Sequence, residues 1–302
     1  MKLYERYLPF QRYIPFVFLA IVTFLLGLAV SPAHSQDKVK DKLRSKENRS
    51  FCSDNNWSGD DDHVSFRELR ESTVSAGGTI TVDGRQNGGI SVKGSDRNDV
   101  LVRACIQAWG KSDEAAKSSA NSIRIATNGT IRAEGTDGDK NWSVSYEILA
   151  PRNSNINLTA HNGGISVTGI DGNAEFETMN GGVFLSDVAG AFKGRTTNGG
   201  VFVKLTGNSW KGSGLDVVTT NGGVNILMPD DYAAHVETGT VNGGFNSEIA
   251  GLQVPRDERK EGDGYYYRPR KSRISTDING GGAPIKIITT NGGVRISSND
   301  KD

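Results

Sequence analysis

The chain is poor in the residues on which most hydrolases and metalloproteins depend. It has four histidines, two cysteines and eight prolines in 302 residues. Besides His34 near the N-terminus, only His63, His161 and His235 remain, and none stands in a His-x-x-x-His or Cys/His spacing, which excludes the familiar zinc motifs. Gly-x-Ser-x-Gly is absent, neither cysteine has a nucleophile's partner signal, and no carboxylate pair recurs at repeated positions, so the usual hydrolase signatures are missing. The Gly-Gly-x-Gly-x-Asp repeat that binds calcium in β-rolls is missing too. Asp60-Asp-Asp62 beside His63 is the densest acidic cluster, and a solvated loop accounts for it as well as a metal would. His161 precedes a corner and His235 lies in a strand-like stretch, places for surface or packing residues. No catalytic residue, metal ligand or cofactor is expected.

A charge excess is lacking as well. The chain carries 35 basic and 35 acidic residues, and setting aside Lys2, Arg6, Arg12 and Glu5 leaves 32 and 34. Such a surface has no electrostatic footprint for nucleic acid or anionic lipid. The one long apolar run is Ile14–Val30, preceded by those three basic residues and followed by Ser-Pro-Ala-His-Ser, whose Ala33 and Ser35 fit a signal peptidase site before Gln36. Retained, the run would be a membrane anchor, slightly short of the ~20 residues that span a bilayer comfortably. No cysteine closely follows it, which argues against a lipid anchor. Export makes a Cys52–Cys105 disulfide the default reading of the two cysteines.

What the chain has in abundance is glycine, 38 residues of it. Asn-Gly-Gly occurs eight times, starting at Asn87, Asn162, Asn180, Asn198, Asn221, Asn242, Asn279 and Asn291, with gaps of 18, 18, 23 and 21 residues between Asn162 and Asn242. A period near 20 residues indicates stacked structural repeats. Apolar and polar residues alternate on both sides of each motif, so each unit reads as strand, corner, strand. Val183 and Leu185, Val201 and Val203, Val224 and Ile226, and Val294 and Ile296 are expected to point into one core. Asn and Gly tolerate positive φ, which predicts left-handed corners at residues such as Gly199 and Gly222. Threonine two residues before the Asn, at Thr178, Thr196, Thr219, Thr240 and Thr289, suits stacking on its counterpart. Asn-Gly also signals hairpins, so a meander or sandwich competes. Near-constant spacing of near-identical corners favours an all-β, parallel β-helix-like β-solenoid of stacked strand–Asn-Gly-Gly–strand coils.

Residues 1–35 then form a signal peptide, 36–62 a polar leader, and 63–302 one β-domain whose only helix is expected within Lys111–Ser122. Regular coils are expected from Asn155 to Ile249, with a last coil at the C-terminus. Trp142-Ser-Val-Ser-Tyr-Glu-Ile148 with Pro151-Arg152, the successive Asn-Gly-Gly units and Gly280-Gly-Gly-Ala-Pro-Ile285 resemble the DUF4097 family of adhesin-like β-strand-repeat proteins, over about residues 74–297. The resemblance implies a β-solenoid in the bacterial envelope and brings no catalytic residues to transfer.

Arg256–Arg273 breaks the pattern and reads as a long exposed loop. Within it Tyr265, Tyr266 and Tyr267 beside Arg268 and Arg270 could stack on a sugar or clamp a peptide, or fold back over a sheet edge. The expected function is that of a non-catalytic exported adhesin, a binding or structural module whose partner is an envelope protein or glycan, in the periplasm or at the cell surface. The membrane is touched only through Ile14–Val30 if that segment is retained, which would make the protein an inner-membrane-tethered scaffold or signalling partner. A carbohydrate-active β-helix enzyme is a distant alternative by fold analogy.

Overall fold

The computed structural model describes residues 51–52, 64–135, 141–253 and 272–299. Contacts divide the chain into Met1–Ser53 and Asp54–Asp302, and all the strands belong to the second unit. Both cysteines are disulfide-bonded, and since the chain has only two the bridge is Cys52–Cys105.

The fold is all-β, with two ten-stranded sheets that do not close into a barrel. Seven strand pairs, here called tiers, each flank one Asn-Gly-Gly corner. They are β2 and β3 (Thr79–Asp83, Ile90–Ser95), β8 and β9 (Asn155–Ala160, Ile165–Thr168), and β10 and β11 (Asn173–Thr178, Val183–Ser186). Next come β12 and β13 (Ala191–Asn198, Val201–Lys204), β14 and β15 (Gly214–Asn221, Val224–Met228), β16 and β17 (Ala234–Asn242, Phe245–Ser247), and β19 and β20 (Pro284–Asn291, Val294–Ser298). Strands before a corner join one sheet, the upstream sheet, and strands after it join the other, the downstream sheet. Equivalent strands pair in parallel and in register, for example Thr196↔Thr219 and Val201↔Val224.

Alternation decides which side chains face inward. Val183, Leu185, Val201, Val203, Val224, Ile226, Val294 and Ile296 are all buried in one core shared by both sheets, as expected. Each such side chain contributes about 1.5–3 kcal/mol by leaving water.

The tiers do not stack in sequence order. The C-terminal pair β19/β20 inserts between β14/β15 and β16/β17. Its flank, Ile285-Lys-Ile-Ile-Thr-Thr, matches Leu215-Asp-Val-Val-Thr-Thr closely enough to fit that slot. At the other end the tiers give way to a cap. There β7 (Trp142–Pro151) pairs in parallel with β3, while β4 (Asp99–Gly110) and β1 (Val64–Ser75) follow antiparallel. Likewise β6 (Thr130–Glu134) joins β2 in parallel and β5 (Arg124–Ala126) is antiparallel to it. Helix α1 (Asp113–Ser122) packs on the cap and begins at Ser112, whose hydroxyl accepts the Ala115 N–H at 3.3 Å. Arg103, 3% exposed, pairs there with Glu147 and with Glu71 at 3.1 Å.

The corners correct one expectation. Gly199 and Gly222 are not left-handed. Their requirement for glycine comes from stacking: a Cβ on Gly222 would lie 2.0 Å from the Gly199 carbonyl oxygen, and one on Gly199 2.0 Å from that of Gly181. The eighth motif differs. Asn279, Gly280 and Gly281 have φ of 49°, 94° and 78° and turn the chain from β18 (Ser272–Ile278), which lies antiparallel to β16, into β19. The motif is the same but its flank is not, with Gly282 where the other seven have Ile, Val or Phe, and no tier lies against this corner to hold it extended.

Candidate binding surfaces

Three surfaces carry polar or aromatic side chains in ordered arrays. The first is the corner itself. Parallel register places the seven asparagines in one row, and each amide Nδ2 donates to the preceding Oδ1, in the spatial order Asn87, Asn162, Asn180, Asn198, Asn221, Asn291, Asn242, at 2.8–3.0 Å. Behind it the expected threonine stack takes a more specific form. Thr178, Thr196, Thr219, Thr289 and Thr240 are buried, and their hydroxyls donate to Gly163, Gly181, Gly199, Gly222 and Gly292 carbonyls at 2.7–2.8 Å. The threonine hydroxyls thus spend their donor on the glycine carbonyls, and each asparagine amide spends one N–H or one lone pair on each neighbour.

The second surface is an open groove of about 380 Å³ lined by Asp83, Arg85, Gln86, Thr159, His161, Glu177 and Met179. A bulge creates it. Three residues separate Asp83 from Asn87, whereas two separate the paired Thr159 from Asn162. The extra length is taken up at Arg85, which adopts φ 54°, and the Asp83 carboxylate accepts the Arg85 N–H at 2.8 Å. Bulges of this kind re-aim side chains beside functional sites. Asp83, Thr159 and Glu177 are neighbours in one row across three strands. Glu177 is held by Arg195 at 2.6 Å, and that hydrogen bond raises the Arg195 pKa. Inside the core at this end, burial pushes the Tyr146 phenol well above its usual range, reinforced by the charge of Asp83.

The third comprises the outer faces of the sheets, which differ in chemistry. On the upstream sheet acids and bases neutralise one another: Glu177 with Arg195, Asp216 with Lys286 at 3.0 Å, and Glu237 with Arg273. On the downstream sheet one row runs Ser166, Phe184, Phe202, Asn225, Arg295, Asn246, and the next Thr168, Ser186, Lys204, Leu227, Ser297. From Ser166 to Asn246 and from Thr168 to Ser297 neither row contains a carboxylate. Beyond Ser166 the first row continues through Ser91 to Glu147, which is buried against Lys93 and Arg103, and Glu248 reaches Arg295 at 3.6 Å. Phe184 and Phe202 stack with centroids 5.2 Å apart and planes within 5°, and Phe184 is 40% exposed.

One constellation has the form of a hydrolytic triad. His235 Nδ1 lies 2.7 Å from Asp277 Oδ1, and its Nε2 lies 3.2 Å from Ser275 Oγ. The three meet because β18 runs antiparallel to β16, pairing His235 with Asp277. Triad chemistry also needs oxyanion donors and a site shielded from water. Here the imidazole is 41% and the carboxylate 67% exposed, so water screens the contact that would stabilise an imidazolium.

Against known proteins, no family model matches the chain, and no curated protein matches it. Solved structures do overlap it. A candidate cell adhesion protein from Clostridium sporogenes aligns with TM-score 0.39 at 11% identity, over 77% of this chain and 100% of that one. A candidate lipid binding protein from Parabacteroides distasonis gives 0.30 at 11%, over 76% and 96%. A candidate adhesin from Bacteroides fragilis gives 0.25 at 10%, over 77% and 97%. Overlaps this loose leave function to be argued from the surfaces themselves.

Of the residues singled out in the sequence, Cys52 and Cys105 are joined, His161 lines the groove, and His235 is a surface residue. Tyr265, Tyr266, Tyr267, Arg268 and Arg270 lie outside the described residues, as do Asp60–Asp62, His63 and Ile14–Val30. Among the described residues no helix is long and apolar enough to cross a membrane. Sequence reasoning missed the Arg85 bulge, although the extra residue between Asp83 and Asn87 was there to count. It also missed Phe184 and Phe202 as a pair, although both follow the first valine after their corners.

Proposed function

We propose that the protein is an exported, non-catalytic binding and structural module of the bacterial cell envelope, a β-solenoid of the DUF4097 kind. The observation that carries this reading is the division of labour in the tiers. Asn, Gly and Thr at the corners are tied up in intertier hydrogen bonds and close stacking that hold the tiers in register, and the inward positions in the core. That leaves the outward positions free to differ from tier to tier, as recognition surfaces do in stacked-repeat proteins. The Cys52–Cys105 disulfide supports passage through an oxidising compartment. The exposed Ser275–His235–Asp277 contact is assigned to the surface of β16 and β18, not to catalysis.

The test is fractionation of the native host, with sequencing of the protein's N-terminus and protease treatment of intact cells. A chain that begins at Gln36 and is shaved from outside supports a surface adhesin. A cleaved but protected chain supports a periplasmic module, and an uncleaved one in the inner membrane supports a tethered scaffold. Recovery from the cytoplasm with both cysteines reduced would overturn the reading.

A further inference from the structure

We propose that the outer face of the downstream sheet binds an anionic glycan, with a sugar ring seated between Phe202 and Arg295 above Asn225. The proposal rests on the binding-module reading and supplies it with a site and a ligand class. A cross-strand aromatic pair such as Phe184–Phe202 stabilises a sheet, which accounts for the stack but not for what stands beside it. Phe202, Asn225 and Arg295 are register partners on three adjacent strands, β13, β15 and β20. At about 4.7–4.9 Å per strand, the two flanking positions stand about 9–10 Å apart, room for one ring in van der Waals contact with both.

The floor and walls suit a charged pyranose. Asn225 is exposed and offers an amide donor and acceptor to sugar hydroxyls. Aromatic rings supply the apolar platform on which sugar C–H faces pack. Arg295 is steadied by Ser297, whose Oγ accepts from Nε at 3.2 Å, and by Glu248 at 3.6 Å. Lys204 stands two residues beyond Phe202, on the same face of β13. Lys204 and Arg295 outnumber the one carboxylate beside them, Glu248 on Arg295, so this part of the face keeps a positive balance that is complementary to a carboxylated sugar. The upstream face, where acids and bases cancel, is not. Two cations are also too few to track a nucleic-acid backbone.

The experiment titrates the purified protein with alginate and polygalacturonate hexasaccharides, and with neutral cellohexaose, by calorimetry at low and high salt. At least one of the acidic sugars is expected to bind, more weakly as salt rises, and cellohexaose at least about tenfold more weakly. Phe202→Ala should weaken binding about tenfold or more, and Arg295→Gln and Lys204→Gln about three- to tenfold each. Lys286→Gln on the opposite sheet should leave binding unchanged. Asn225→Trp keeps the phenylalanine stack and fills the space between Phe202 and Arg295, so it should abolish binding with little change in melting temperature. Failure of all three sugars to bind, equal binding of the neutral one, or binding indifferent to Asn225→Trp and Arg295→Gln overturns the site. If the Asn225→Trp variant still adheres to host envelope as wild type does, the site is refuted while the binding-module reading stands.

Discussion

Replacing the two glycines of a single corner by alanine should give opposite results, and the difference follows from distances. In the Asn221 tier, a Cβ on Gly222 would lie 2.0 Å from the Gly199 carbonyl oxygen, whereas one on Gly223 would lie 3.5 Å from the Gly293 oxygen. Real Cβ contacts essentially never fall below 3.0 Å, so Gly222→Ala must push the neighbouring tier by about 1 Å or more. The oxygen displaced is the acceptor of the Thr219 hydroxyl at 2.8 Å. Overpacking costs about 1–3 kcal/mol, and an unpaired buried hydroxyl about 1–3 more. The expected loss is about 2–5 kcal/mol, and at ~2–4 °C per kcal/mol for a domain of this size the melting temperature should fall by about 5–20 °C. Gly223→Ala meets only ordinary contact, and its smaller unfolded-state entropy offsets part of any cost, so a change within about 1 kcal/mol is expected. Thermal and urea unfolding followed by far-ultraviolet circular dichroism reads both. Equal losses, or a larger loss for Gly223→Ala, would refute close stacking as the reason for the first glycine.

Thr219→Val keeps the shape but removes the donor to Gly199, and should cost about 1–2 kcal/mol in urea unfolding, while Thr219→Ser should recover most of it; a neutral valine would remove the hydroxyl from the account. Burial pushes Tyr232 up to about 12 and Tyr146 higher still, whereas an unfolded tyrosine ionises near pH ~10. Above that pH the unfolded chain has lost protons that the folded one keeps, so stability is full below pH ~10 and falls as the pH rises toward about 12. Absorbance at a phenolate wavelength should show these two tyrosines ionising only as the protein unfolds; free titration of every tyrosine in the folded protein near pH ~10 would contradict this. A fluorophosphonate probe, which labels activated serines, should leave Ser275 unmodified, and labelling lost on His235→Ala would make the protein a hydrolase after all.

Much of the fold was legible because period-two alternation and a fixed spacing are local signals. The valines after each corner reported the core face directly, and the Asn-Gly-Gly spacing reported parallel register. What escaped was decided by contacts between distant segments. Asn279-Gly-Gly shares its three residues with seven counterparts, but Gly282 stands where each of them has Ile, Val or Phe, and without a neighbouring tier the motif becomes a left-handed turn. The insertion of β19/β20 could not be read, because Thr-Thr-Asn-Gly-Gly-Val stands equally at Val224 and Val294 and either order satisfies the pattern. Ser272–Ile278 was partly assigned to a loop, which hid both the antiparallel β18 and the meeting of Ser275, His235 and Asp277. The candidate sugar site was invisible for the same reason, since Phe202 and Arg295 face each other across Asn225 only in the observed stacking order.

That order is the most direct point of attack. Asn225 and Arg295 are Cα partners, as are Asn246 and Arg295, whereas Asn225 and Asn246 lie two strands apart at about 9–10 Å. Cysteine pairs should therefore cross-link on mild oxidation at 225–295 and at 246–295, and fail at 225–246, which exceeds the reach of a disulfide. Peptide mass mapping with and without reductant reads the outcome. Cross-linking at 225–246 without 225–295 would mean that the tiers stack in sequence order, and would contradict both the inserted C-terminal tier and the surface built on it.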